Sequence, residues 1–155
     1  MFVGGVDVLP AAGGVLRRRV VLAGRRVLVV DDEADARILT SRMLSARGAD
    51  VTVVSSAVDA LHAMRTQRFD ALVADIGMPS EDGYALVRAI RDLAADEGGR
   101  VPAVAVTAYA SSRDREQALA SGFDAHLPKP VEPGELIGAV AAVISSRKTS
   151  RAAPT

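Results

Sequence analysis

The sequence predicts an α/β fold in which a parallel sheet carries helices on both faces. Three observations lead there. Short runs of consecutive apolar residues, such as Val27-Leu28-Val29-Val30 and Ala71-Leu72-Val73-Ala74, read as strands buried on both faces. Between such runs, apolar residues recur at helical spacing, as in Ala57, Ala60, Leu61 and Met64. Glycines and prolines punctuate the alternation, so that each strand and helix has a defined end.

In chain order, residues 1–24 differ in character from the remainder of the chain. They are glycine-rich without a clear period and include Arg17, Arg18 and Arg19. The arginines come after the first apolar stretch and Asp7 interrupts it, which is not the layout of a signal peptide. A flexible basic leader is expected, with a docking arm for an acidic partner or membrane surface as the alternative. The regular pattern begins near Arg26. Strand one, Val27–Val30, ends in Asp31-Asp32-Glu33. A helix carries Ala36, Leu39 and Met43 and stops at Gly48. Val51–Val54 is the second strand, followed by the helix of Ala57 to Met64. Phe69 to Ala74 is the third, ending at Asp75 and stopped by Gly77 and Pro79.

Leu86, Ile90 and Leu93 line a third helix that Gly98-Gly99 closes. Ala103–Val106 is the fourth strand and ends at Thr107. Ser111 with Asp114 three residues on starts the fourth helix in the manner of a capping box, and Gly122 stops it. Asp124–Leu127 is a short fifth strand before Pro128-Lys129-Pro130. Leu136, Ile137, Val140, Val143 and Ile144 line the last helix. A folded domain is therefore expected over residues 25–147, and a disordered polar tail over 148–155.

Composition narrows the function classes. Of 155 residues, 49% are hydrophobic and 25% charged, as in a globular protein able to bury its own core. Cysteine is absent, which removes disulfides, thiolate metal sites and a cysteine nucleophile. Acidic and basic residues balance at 19 each, and aromatics make up only 3%. Neither feature suits a general nucleic-acid binder or a base-stacking platform. No apolar run approaches the roughly 18 residues of a membrane span.

The chemistry sits at strand ends. Asp31 and Asp32 follow the first strand, Asp75 the third, Thr107 the fourth and Lys129 the fifth. Each alone has an ordinary explanation: an acidic helix start, a cap, a turn hydroxyl or a surface lysine. If the strands are parallel neighbours, all of them meet at the edge of the sheet where ligands bind in open α/β folds. Clustered carboxylates repel and raise one another's pKa, which a hard divalent cation such as Mg²⁺ relieves. A cation and Lys129 would keep Asp75 ionised as a nucleophile toward a phosphoryl group. Thr107 could then hydrogen-bond the group that arrives.

These blocks, Val-Leu-Val-Val-Asp-Asp-Glu, Asp-Ile-Gly-Met-Pro, Val-Thr-Ala and Leu-Pro-Lys-Pro, resemble the receiver domain of bacterial two-component response regulators over about residues 25–147. Asp-Ile-Gly-Met-Pro with Glu-Asp-Gly-Tyr, and His-Leu-Pro-Lys-Pro-Val-Glu-Pro, further resemble receivers attached to hybrid sensor histidine kinases. The resemblance implies a flavodoxin-like fold with strand order 2-1-3-4-5. It implies Asp75 as the phosphoacceptor, with Mg²⁺ held by Asp32, the Gly77 carbonyl and Asp75, and by Asp31 at least through water. Thr107 and Lys129 would sense the phosphoryl group, and the Lys129-Pro130 bond would be cis. The implied partner is a histidine kinase or histidine phosphotransfer protein in a cytoplasmic phosphorelay, with no direct nucleic-acid contact. The protein would be a phosphoacceptor rather than a classical enzyme. With no effector module expected after residue 147, a stand-alone receiver is predicted. It would signal through the face of the fourth helix, fifth strand and last helix.

One position departs from the family pattern. Three residues before Lys129, where an aromatic switch residue is usual, stands His126. Three other readings fit less well. A flavin carrier on this fold would need a hydroxyl- and glycine-rich loop where Asp31-Asp32-Glu33 stands. An aspartyl-phosphate phosphatase would need an acid where Gly77 stands. A degenerate receiver used only for docking would not need the complete Asp32, Asp75, Thr107 and Lys129 set.

Overall fold

A computed structural model describes residues 21–77, 83–108 and 111–152, with side chains described as far as Ser146. Met78 and Pro79 of the turn after the third strand, Tyr109 and Ala110, and most of the leader lie outside the described residues. Five parallel strands form one sheet in the order β2-β1-β3-β4-β5. They are β1 (Arg26–Val30), β2 (Asp50–Val54), β3 (Ala71–Asp75), β4 (Ala103–Thr107) and β5 (Ala125–Pro128). The helices are α1 (Ala34–Ser45), α2 (Ala57–Thr66), α3 (Gly83–Arg91), α4 (Ser112–Ser121) and α5 (Pro133–Ala152). Every strand pair is parallel, so each connection crosses over through a helix, as the alternating pattern requires.

The central strands have apolar residues on both sides because both sides are covered. Alternate side chains of a strand point to opposite faces. Leu28, Val30, Leu72, Ala74, Ala103 and Ala105 pack on one face with Ala60, Leu86, Ile90 and Ala118 of α2, α3 and α4. Val27, Val29, Ala71, Val73, Val104 and Val106 pack on the other with Leu44 of α1 and Leu136, Ile137 and Val140 of α5. β3 is buried along its whole length, so Asp75 ends a central strand whose flanks are already covered.

Local signals set most element ends. The Ser111 hydroxyl accepts the Asp114 N–H at 3.1 Å and caps α4 as its spacing predicts. Ser56 does the same for α2. Gly48 turns the chain after α1 with φ of +93°, and a side chain there would meet the Ala23 backbone.

Three boundaries differ from the sequence expectation. α3 ends at Arg91 rather than near Leu93, and a separate 3₁₀ turn, Ala95–Glu97, follows. Beyond the helix the chain is fastened at long range: the Arg91 guanidinium donates to the carbonyls of Gly99, Val101 and Gly122 and pairs with Asp124. α5 runs to Ala152, five residues past the expected limit of 147, because an established helix propagates through residues that would not nucleate one. Finally, Leu22 lies inside the region read as leader, yet it is fully buried in the α1/α5-side core. Its N–H bonds the Arg47 carbonyl, so the folded unit begins before β1.

Candidate phosphoacceptor site

The loops at the carboxyl ends of β1, β3, β4 and β5 bring the predicted residues together. Asp31 and Asp75 continue the strand parity of Val29 and Val73, so both carboxylates lie toward the α1/α5 face. Both are buried, and both use their oxygens alike. Asp31 Oδ1 accepts the Glu33 N–H at 2.9 Å, and Asp75 Oδ1 accepts the Gly77 N–H at 2.9 Å. These two-residue turns hold each carboxylate at a fixed angle. The second oxygen of each faces Lys129, whose Nζ stands 3.2 Å from Asp75 Oδ2 and 3.5 Å from Asp31 Oδ2. Lys129 is placed by its own N–H, which donates to the Thr107 carbonyl at 2.7 Å, and its bond to Pro130 is cis.

Asp32 completes the cluster from the exposed side of the loop. One carboxylate oxygen each from Asp31, Asp32 and Asp75 lie within 4.8 Å of one another, close enough to share a single cation. All-oxygen donors with an open, solvent-facing side suit a hard divalent ion that retains water. Asp32, the exposed member, is free to turn toward such an ion, whereas both oxygens of Asp31 already have partners.

Electrostatics follow from burial. Burial raises the Asp31 carboxyl above the ordinary aspartate range, opposed by the Glu33 N–H and by Lys129 and assisted by repulsion from Asp75. Burial alone would lower Lys129, but attraction to Asp75, and then to Asp31, outweighs it and holds the ammonium above the ordinary lysine range. The ion pair therefore shows on Lys129, while for Asp31 the loss of water dominates.

Thr107 is completely buried at the end of β4, one residue beyond Val106, the register partner of Asp75. It continues the parity of Ala103 and Ala105 and so lies on the α2-α3-α4 face, as does His126, the register partner of Ala105. His126 is half-buried, and its Nε2 is buried with no hydrogen-bond partner among the described residues. His62 is exposed on α2 and takes no part in the site. A groove of about 450 Å³ opens beside the cluster, walled by Val29, Leu39, Met43, Val106 and Val131.

Sequence reasoning missed Arg37. Its Nη1 donates to the Asp31 carbonyl at 2.8 Å, clasping the loop that carries both acidic residues. No motif points to it; an arginine on the first turn of a helix has many ordinary uses.

The response regulator receiver domain family matches residues 27–141, and the chain belongs to that family. An uncharacterised 14.6 kDa protein of Leptolyngbya boryana is 46% identical over 116 residues, which cover 75% of this chain and 87% of that protein. Sensor histidine kinase GacS of Pseudomonas protegens is 37% identical over 112 residues, 72% of this chain but 12% of the kinase. Hybrid signal transduction histidine kinase I of Dictyostelium discoideum is 34% identical over 128 residues, 79% of this chain and 7% of the kinase. The chain thus spans most of the first relative and a small part of the two kinases.

Among solved structures, the receiver domain of sensor histidine kinase PA1611 from Pseudomonas aeruginosa has 35% identity and a TM-score of 0.71, covering 79% of this chain and 99% of that one. It was crystallised with a magnesium ion coordinated in the active-site cleft. CheY4 of Vibrio cholerae, a chemotaxis response regulator, has 28% identity and a TM-score of 0.71 over 77% of this chain and 98% of that one. No helix among the described residues is long and apolar enough to cross a membrane.

Proposed function

We propose that the protein is a phosphorelay receiver in which Asp75 accepts a phosphoryl group from the phosphohistidine of a histidine kinase or histidine phosphotransfer protein. The observation that carries this reading is the shared cradle of Asp31, Asp75 and Lys129 at the ends of three strands, with Asp32 at its open side. In the transfer, a carboxylate oxygen of Asp75 forms a bond to phosphorus as the donor's phosphorus–nitrogen bond breaks, and the electron pair returns to the imidazole. Asp31, Asp32, Asp75 and the Gly77 carbonyl would hold Mg²⁺, which would neutralise charge on the phosphoryl oxygens. Lys129 moves from its pairing with Asp31 and Asp75 toward the transferred group, and the Thr107 hydroxyl donates to it. The output face consists of α4, β5 and α5.

The test is covalent labelling. A small acyl-phosphate donor with Mg²⁺ adds one phosphoryl group that hydroxylamine removes. Asp75→Asn abolishes the labelling while keeping the fold, since it deletes a buried negative charge. Labelling of Asp75→Asn at the wild-type rate and stoichiometry would show that another residue is the acceptor.

A further inference from the structure

The geometry points to Arg37 as a positioning residue for the divalent cation: its guanidinium clasps the Asp31 carbonyl and so sets the loop from which Asp31 and Asp32 present their carboxylates. This rests on the reading of the acidic cluster as a Mg²⁺ site.

Asp31 is restrained at each of its polar groups. Its N–H donates to the Val54 carbonyl at 3.2 Å, across the sheet. Its Oδ1 accepts the Glu33 N–H at 2.9 Å. Its carbonyl accepts Arg37 Nη1 at 2.8 Å. The first bond belongs to the sheet and the second is made within the loop. Of the three, only the last ties the loop to the body of α1. That carbonyl belongs to the peptide joining Asp31 to Asp32, so its direction fixes how the Asp32 side chain leaves the backbone. Asp32 needs such help, because an exposed side chain is held less by packing than a buried one. The bond is charge-assisted and half-buried, hence of the stronger kind.

Charge alone predicts the opposite effect. A guanidinium near a cation site repels the cation, so deleting it by Coulomb's law would tighten Mg²⁺ binding. If Arg37 acts by holding the loop, deleting it weakens binding instead. Loss of a residue that orients metal ligands costs roughly tenfold or more in metal affinity. The two accounts therefore differ in sign.

The experiment measures the Mg²⁺ dissociation constant by calorimetry and by amide shifts of Gly77, in the wild type, Arg37→Gln, Arg37→Ala and Arg37→Lys. Positioning predicts binding weaker by about tenfold in Arg37→Gln and Arg37→Ala. It predicts a value between these and the wild type for Arg37→Lys, which keeps the charge but lacks the rigid fork. Arg37→Lys also serves if the alanine variant does not fold, and metal-free amide spectra check the fold of each. Equal or tighter binding in Arg37→Gln overturns the inference. Absence of Mg²⁺ binding to the wild type would overturn the proposed function instead, so the two failures are distinguishable.

Discussion

Replacing Lys129 with methionine keeps most of the aliphatic stem and removes the ammonium that bridges Asp31 and Asp75. The cost follows from how exposed the three groups are. Breaking a buried ion pair costs about 3–5 kcal/mol, whereas an exposed pair contributes about 0–1 kcal/mol. The lysine side chain is 31% exposed, and its partners are 8% and 11% exposed. The expected destabilisation lies between these limits, at about 2 kcal/mol without Mg²⁺, or about 6–8 °C in melting temperature for a domain of this size. The pH dependence carries a sign. Because Lys129 titrates above its ordinary 10.5, its stabilisation is fully present below that value and is lost only as the pH rises through the higher folded value. Asp31 titrates above its ordinary 3.8, so between the two values the fold binds more proton than the unfolded chain and stability falls as pH rises. Removing Lys129 pushes Asp31 further up, so the variant recovers part of its deficit in acid, where that carboxyl is protonated. Denaturant unfolding in chelator, at neutral and at acid pH, measures both effects. A variant that unfolds with the wild type at neutral pH, or whose deficit is the same in acid, would refute this account of the cluster.

Three further outcomes are expected. Saturating Mg²⁺ stabilises the wild type by mass action, by about 2.7 kcal/mol at a hundredfold excess over the dissociation constant, and so raises its melting temperature. Asp32→Ala weakens Mg²⁺ binding more than Asp31→Ala, because both oxygens of Asp31 are already engaged; melting temperatures that ignore Mg²⁺ would speak against the site. Chemical-shift changes induced by beryllofluoride spread from Asp75 to α4, β5 and α5, include the His126 ring, and are lost in Thr107→Ala. Changes confined to the pocket would remove Thr107 and His126 from the output.

Much of this protein is written in local pattern. Consecutive apolar residues mark strands covered on both faces, and 3.6-residue spacing marks the helices between them, because each element must bury its own apolar side. The capping of α4 by Ser111 and the turn at Gly48 are similarly local, involving residues a few positions apart. The receiver motifs at the strand ends suffice to put Asp31, Asp32, Asp75, Thr107 and Lys129 at one edge of the sheet. The remainder depends on residues far apart in the chain. Arg91 fastens the segment after α3 through the Gly99, Val101 and Gly122 carbonyls, and Leu22 joins the core with its N–H on the Arg47 carbonyl. The division of Asp75 and Thr107 between the two faces of the sheet rests on register, which strand composition does not specify. Nor does the sequence reveal that Lys129 bridges two carboxylates already held by their own loops, or that Arg37 fastens one of those loops. Such contacts arise from the packing of whole elements, and a side chain's role in them depends on where that packing leaves it.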